Sequence, residues 1–374
     1  MEGGVSDVVQ LFVELAAIPS PSGQEREVAN RVLAYLDDLA LPADEDDAGS
    51  RVDSTIGNLL CRIEPTTGGT PLFFCAHLDT VPLEAGLAPV IEDGFVRNGA
   101  GTILGADNKS AVAAMLEATR RVVGENRPHA GIELLFTPQE EVGLRGAAAF
   151  DSTRLEAEVG YVYDHAGPVG ELILGAPYQR KIDVAFRGRA AHAGMYPEDG
   201  RSAIAAAARA IADLRLGRLD DETTANVGRI AGGSARNVVP EHCTFWAEAR
   251  CHDEAKLAEL VQEMLETITF AAQIADCELE TTVEAAARGY RFKRDDRPVR
   301  LAAAALERVG VQPSYALSGG GADANVFNER GLQCLNLANG MTDIHTPDER
   351  IALEDLDRMV EVTLALIETA CDGT

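Results

Sequence analysis

Five consecutive apolar residues, Leu72-Phe73-Phe74-Cys75-Ala76, stop abruptly at His77-Leu78-Asp79-Thr80-Val81-Pro82. A short, uniformly apolar run is the pattern of a buried strand, and this one delivers an imidazole and a carboxylate to its carboxyl end. Side chains two apart on a strand share a face, so Asp79 can accept the second ring N–H of His77 and fix the tautomer that ligates a metal. A strand entering a polar turn yields the same residues, and the pair alone does not decide between the two.

Similar runs recur at 58–63, 131–137 and 159–164, interleaved with a helical stretch at 109–123 and preceded by helical spacing from Val8 to Leu39 that breaks at Ile18-Pro19-Ser20-Pro21-Ser22-Gly23. Strands alternating with helices predict an α/β fold with a mixed sheet flanked by helices. From about Tyr178 the order becomes strand, alanine-rich helix, two strands, long helix, strand, which is the β-α-β-β-α-β pattern of a small ferredoxin-like domain. The expected organisation is a catalytic domain from 1–177 and 286–374, interrupted by an inserted α+β domain at 178–285.

Composition narrows the class. A formal net charge of -27 repels phosphate backbones and anionic lipid, so no nucleic-acid partner is expected. No stretch approaches the ~20 apolar residues of a membrane span, and the start of the chain lacks a signal segment, which predicts a cytoplasmic protein with no membrane partner. The seven scattered cysteines, without a C-x-x-C pair, suit reduced thiols.

Four further segments place polar groups where α/β sheets keep their sites. Asp107, in Gly105-Ala106-Asp107-Asn108-Lys109, opens a helix and could simply cap it. Glu140 and Glu141 follow the strand ending at Thr137; of two adjacent carboxylates one can bind a cation while the other addresses water, and their proximity raises one pKa. Asp164 ends the strand Tyr161-Val162-Tyr163, and His345 sits in a loop before the last helix. Two imidazoles and three carboxylates are too many for one tetrahedral ion but suit two divalent ions sharing a carboxylate.

In their order these motifs resemble the M20 family of co-catalytic zinc metallopeptidases, and most closely its peptidase T-like, tripeptide aminopeptidase branch. The resemblance also covers Ala191-His192-Ala193-Gly194 and Ser318-Gly319-Gly320-Gly321-Ala322-Asp323-Ala324-Asn325. It implies that His77 and Asp164 bind one metal, Glu141 and His345 the other, and that Asp107 bridges them. Zinc is the expected metal, with cobalt or manganese also allowed. Glu140 would be the general base for water attacking the amide of a short peptide, Asp79 would stand behind His77, and the Asp107-Asn108 peptide bond would be cis.

The resemblance further implies a homodimer through 178–285, in which His192 reaches the partner's site to stabilise the tetrahedral oxyanion. Arg236 and Asn237 would grip a peptide's terminal carboxylate, and the Ser318 to Gly321 loop would bring backbone N–H groups, Gly320 among them, to the substrate. The same scaffold serves M20 carboxypeptidases, dipeptidases and deacylases of N-acyl amino acids, which stand as alternatives. A catalytically silent metal-binding dimer is the alternative outside enzymes, although a silent relative would be free to lose Glu140.

Overall fold

The structure, a computed structural model, describes residues 5–372; Met1 to Gly4, where no signal segment is expected, and residues 373–374 lie outside them. The chain divides into two compact units, one formed by residues up to Gly175 and from Phe292 onward, the other by Ala176–Arg291. The division falls two residues before the expected start of the insert and six after its expected end. The strand Glu278–Ala287 runs two residues past the expected end, and the short strand Tyr290–Arg291 follows it.

The first unit is built on an eight-stranded mixed sheet. Its centre is four neighbouring parallel strands, in the order Ile132–Thr137, Leu72–His77, Val159–Val162 and Gln333–Leu337. The first three are buried at every position, as continuous apolar runs covered on both faces require. Being parallel, the four strands open their carboxyl ends on one side, where α/β sheets bind ligands.

Beside the sheet lies the helix Ala106–Gly124, buried on all sides from Ala111 to Thr119. Its small residues, Ala111, Ala113, Ala114 and Ala118, let the helices Asp7–Ala16 and Leu353–Cys371 and the strand Leu72–His77 approach it closely. The short strands Ala43–Glu45 and Ser314–Ala316 at the two edges of the sheet, Glu171–Ile173 next to the latter, and the hairpin Pro89–Glu92 with Phe95–Asn98 are not expected from the sequence. At three or four residues each, they carry too little periodicity to read.

The second unit is an antiparallel sheet in the order Gly217–Asp220, Thr223–Gly232, His242–Cys251, Tyr178–Arg187, Glu278–Ala287. The first of these is an edge strand beyond the four of the expected split pattern. Along His242–Cys251, Cys243, Phe245, Ala247, Ala249 and Cys251 alternate into the core beneath the helices Ala203–Asp213 and Glu254–Ala275, while Trp246 is exposed on the opposite face. Ser202 and Asp253 cap the two helices by accepting the N–H groups of Ala205 and Lys256. Among the described residues no helix is long and apolar enough to cross a membrane.

Candidate metal centre and its neighbours

At the carboxyl ends of the central strands the first unit gathers His77, Asp107, Glu140, Glu141, Asp164 and His345. His77 is the last residue of its strand and is 1% exposed. Its Nδ1 lies 2.9 Å from the carbonyl oxygen of Asp79. Donation of the Nδ1–H there reserves Nε2, which faces the carboxylates, for a metal once it holds no proton.

Asp107 stands between the two histidines. Its Oδ1 is 3.1 Å from His77 Nε2, and its Oδ2 is 3.2 Å from His345 Nε2. Asp164 joins on the His77 side, at 3.8 Å from Nε2, and Glu141 on the His345 side, at 3.0 Å. The capping alternative for Asp107 does not hold: the helix start has no side-chain cap, Asp107 and Asn108 have non-helical backbone angles, and the peptide bond between them is cis. The candidate ligand atoms of His77, Asp107 and Glu141 all lie within 4.8 Å of one another, as do those of His77, Glu140 and Asp164.

Two imidazoles and three carboxylates, split into two groups around one shared carboxylate, fit two divalent cations better than an ordinary ion-pair network. Without cations the electrostatics are tense. Burial opposes charge on His77, but the carboxylates of Asp107, Asp164 and Asp79 outweigh it and raise its proton affinity well above the usual imidazole range. Asp107 and Glu141 push His345 up to about 10. Burial, with Asp107 beside it, raises Asp164 to about 7, and burial together with Asp164 lifts Glu140 well above the ordinary carboxyl value.

Asp79 has its nearer carboxylate oxygen 3.4 Å from His77 Nδ1, but its shorter contacts are elsewhere. Its carboxylate accepts the backbone N–H groups of Glu140 and Glu141 and the hydroxyl of Ser22, and it is the backbone carbonyl that meets the His77 ring. Two residues past a strand end the alternation rule no longer applies, because the chain has left the pleat. The Glu140 turn is fastened from its other side by Gln139, which has φ +54, donates to the Asp53 carbonyl at 2.7 Å and accepts from Arg145 at 2.6 Å.

Three buried groups beside the site had not been singled out for a role. Glu349 accepts three backbone N–H groups around Asp107. Lys109 donates to the Ile18 carbonyl. Asp323 accepts the Thr137 hydroxyl at 2.5 Å, and burial raises its carboxyl to about 6. For Lys109 and Asp323 the available signal is an acid or base inside a motif already quoted; Glu349 lies outside all of them.

Gly320 lies in the same unit, half-buried, and its N–H already donates to Ser318 Oγ at 3.0 Å. His192, Arg236 and Asn237 belong to the second unit and are exposed there. Backbone hydrogen bonds from Ala193 to Asn237 and from Val239 to Ala191, each 2.9 Å, hold their two loops together. His192 Nδ1 accepts the N–H groups of Gly194 and Met195 at 3.2 and 3.1 Å, so the ring presents Nε2–H as a donor.

Residues 73–369 match the profile of peptidase family M20/M25/M40. The chain belongs to this family of metallopeptidases. YqjE of Bacillus subtilis strain 168, a protein of uncharacterized activity, is 38% identical over 363 residues, 97% of this chain and 98% of that protein. Aminopeptidase PepT from Bacillus cereus ATCC 10987 superposes on this M20 peptidase with a TM-score of 0.89 at 39% identity, covering 97% of this chain and 98% of that one. A tripeptidase from Staphylococcus aureus subsp. aureus Mu50 gives 0.94 at 32% identity over 99% and 100% of the two chains. These likenesses put the M20 peptidase on the peptidase T-like branch.

Proposed function

We propose that this M20 peptidase is a tripeptide aminopeptidase that works with two divalent cations held by His77, Asp107, Glu141, Asp164 and His345. The observation that carries the reading is the Asp107 carboxylate, each oxygen of which faces a different histidine at 3.1 and 3.2 Å. His77 and Asp164 would hold one cation, Glu141 and His345 the other, and Asp107 both. Nitrogen and carboxylate donors of this kind suit zinc, and also cobalt or manganese. Cations bound there would polarise a substrate carbonyl and acidify water.

The remaining chemistry belongs to the side chains. Glu140, buried and raised in pKa, takes the proton of the attacking water and returns it to the leaving amine. Asp79 holds the turn that aims it. In the second unit His192 offers Nε2–H to the oxyanion of a partner subunit's substrate, in a homodimer formed through residues 178–285. Arg236 and Asn237 bind the peptide's terminal carboxylate, and the Gly320 loop lies along the peptide. The seven free thiols suit a reducing cytoplasm.

The test is purified protein with Zn, Co or Mn against Leu-Gly-Gly, a dipeptide and an N-acyl amino acid. Release of leucine first, with the tripeptide cleaved fastest, is expected; release of the carboxyl-terminal glycine first, or faster deacylation, replaces the reading with a carboxypeptidase or a deacylase. A Glu140→Ala variant should keep both cations and lose about 10²–10⁴-fold in kcat. Full activity in that variant removes the base assignment.

A further inference from the structure

We propose that Glu349 is a positioning residue that joins the loop of the shared carboxylate to the loop of His345, and so sets how tightly the cation between Asp107, Glu141 and His345 is held. The inference rests on the two-cation reading above. Glu349 is 1% exposed. Its Oε2 accepts the N–H groups of Leu104 at 2.7 Å and Gly105 at 2.9 Å, and its Oε1 accepts that of Asp107 itself at 3.0 Å.

Those three donors lie where the chain turns into the helix Ala106–Gly124, with Gly105 at φ +78. The N–H groups at such a start have no partner within the helix. An ionised carboxylate is acceptor-only and can take all three at once, with charge-assisted strength. The same residue lies four positions after His345, and its own N–H donates to the Thr346 carbonyl at 3.1 Å. One side chain therefore fixes the backbone of Asp107 relative to the turn that carries His345. Their contact, Oδ2 to Nε2 at 3.2 Å, is the spacing that a cation between them would require.

A purely structural acid would behave like Glu133, which is also buried, accepts the N–H groups of Glu156 and Ala157 at 2.9 Å each, and sits near the start of its strand rather than at the end that carries the site. The experiment compares wild type, Glu349→Gln and Glu133→Gln in titrations of the metal-free protein with Co²⁺ against a competing chelator, followed by visible absorption. In Glu349→Gln one acceptor oxygen becomes an amino group facing a backbone N–H. One of the two Co²⁺ ions should then bind about 10–100-fold more weakly, with a changed ligand-field band, while Glu133→Gln binds both as wild type does.

Equal affinities and spectra in wild type and Glu349→Gln, or the same loss in Glu133→Gln, overturn the inference. Should Glu349→Gln not fold, Glu349→Asp carries the same expectation and the same refutation, because it keeps the charge but withdraws it by one methylene. A wild-type protein that takes up fewer than two ions overturns the two-cation reading itself. Two tight sites in wild type with no change in the variant overturn only the role of Glu349.

Discussion

Asp79 accepts the backbone N–H of Glu140 at 2.9 Å, so the carboxylate behind one candidate ligand is the anchor of the candidate base. Its second oxygen takes the N–H of Glu141 at 3.2 Å and the Ser22 hydroxyl at 2.6 Å. The His77 ring, 3.4 Å from the nearer carboxylate oxygen, has its shorter contact with the Asp79 carbonyl, which a side-chain substitution leaves in place. Asp79→Asn turns an amide N–H toward a backbone N–H and disturbs the Glu140 turn. The expected result is a fall in kcat of about 10–100-fold with a smaller loss of metal affinity, read from steady-state kinetics and chelator competition. A larger loss of affinity than of kcat would return the Asp79 carboxylate to the role of His77's partner.

Metal uptake should release protons. In the absence of cations His345 is raised to about 10 by Asp107 and Glu141, and His77 is raised because its carboxylate neighbours outweigh its burial. His345 then carries at pH 7 an extra proton that a cation must displace, and His77 holds its own more firmly than a free imidazole does. Raising the pH removes that competition, so apparent affinity increases with pH, by about tenfold per unit for each proton released. Titration calorimetry at pH 7 in buffers of different ionisation heat should find more than one proton leaving as two ions bind, because Asp164, raised to about 7, also holds part of one. Uptake without proton release contradicts this charge balance.

The residues that announced themselves in the sequence did so by ending something. His77 ends an apolar run, Glu140 and Glu141 follow one, and Asp164 follows another, so burial turning to charge marked three approaches to one place. Glu349 had no such signal: its carboxylate accepts N–H groups from residues more than two hundred positions earlier, and that pairing exists only once the chain has folded. Asp79 was visible as an acid near His77, yet its partners lie on the turn after a neighbouring strand. In the second unit the alternation of Cys243, Phe245, Ala247 and Ala249 was legible because one face is buried. The edge strand Gly217–Asp220, mostly exposed, has no apolar face to reveal it.

Gly160 is required by the ring of Phe73. The two residues are paired on neighbouring strands, and a Cβ at position 160 would lie 2.2 Å from the Phe73 ring, which is itself packed edge-on against Phe327 at 5.3 Å. Gly160→Ala forces the ring from a filled core and should cost about 1–3 kcal/mol. Gly68→Ala, with nothing within 4 Å, is the control and should stay within about 0.5 kcal/mol of wild type. Urea unfolding midpoints of the metal-free proteins decide the matter, and equal midpoints for the two variants would deny the close packing.

Lys109 should make stability depend on pH in a direction opposite to that of a salt-bridged lysine. It is fully buried, its Nζ donates to the Ile18 carbonyl at 2.5 Å, and burial lowers its pKa to about 7 against the pull of Glu349. Below pH 7 folded and unfolded chains both hold the proton, and the burden of the buried ammonium is constant. Between about 7 and 10.5 the unfolded chain binds more protons than the folded one, so this group makes stability rise with pH, by up to about 1.4 kcal/mol per unit. Lys109→Met removes the titration. The stability difference between variant and wild type in chelator should therefore shift toward wild type by a few kcal/mol between pH 7 and pH 9. A difference that stays constant across that range means that Lys109 keeps its proton inside the fold.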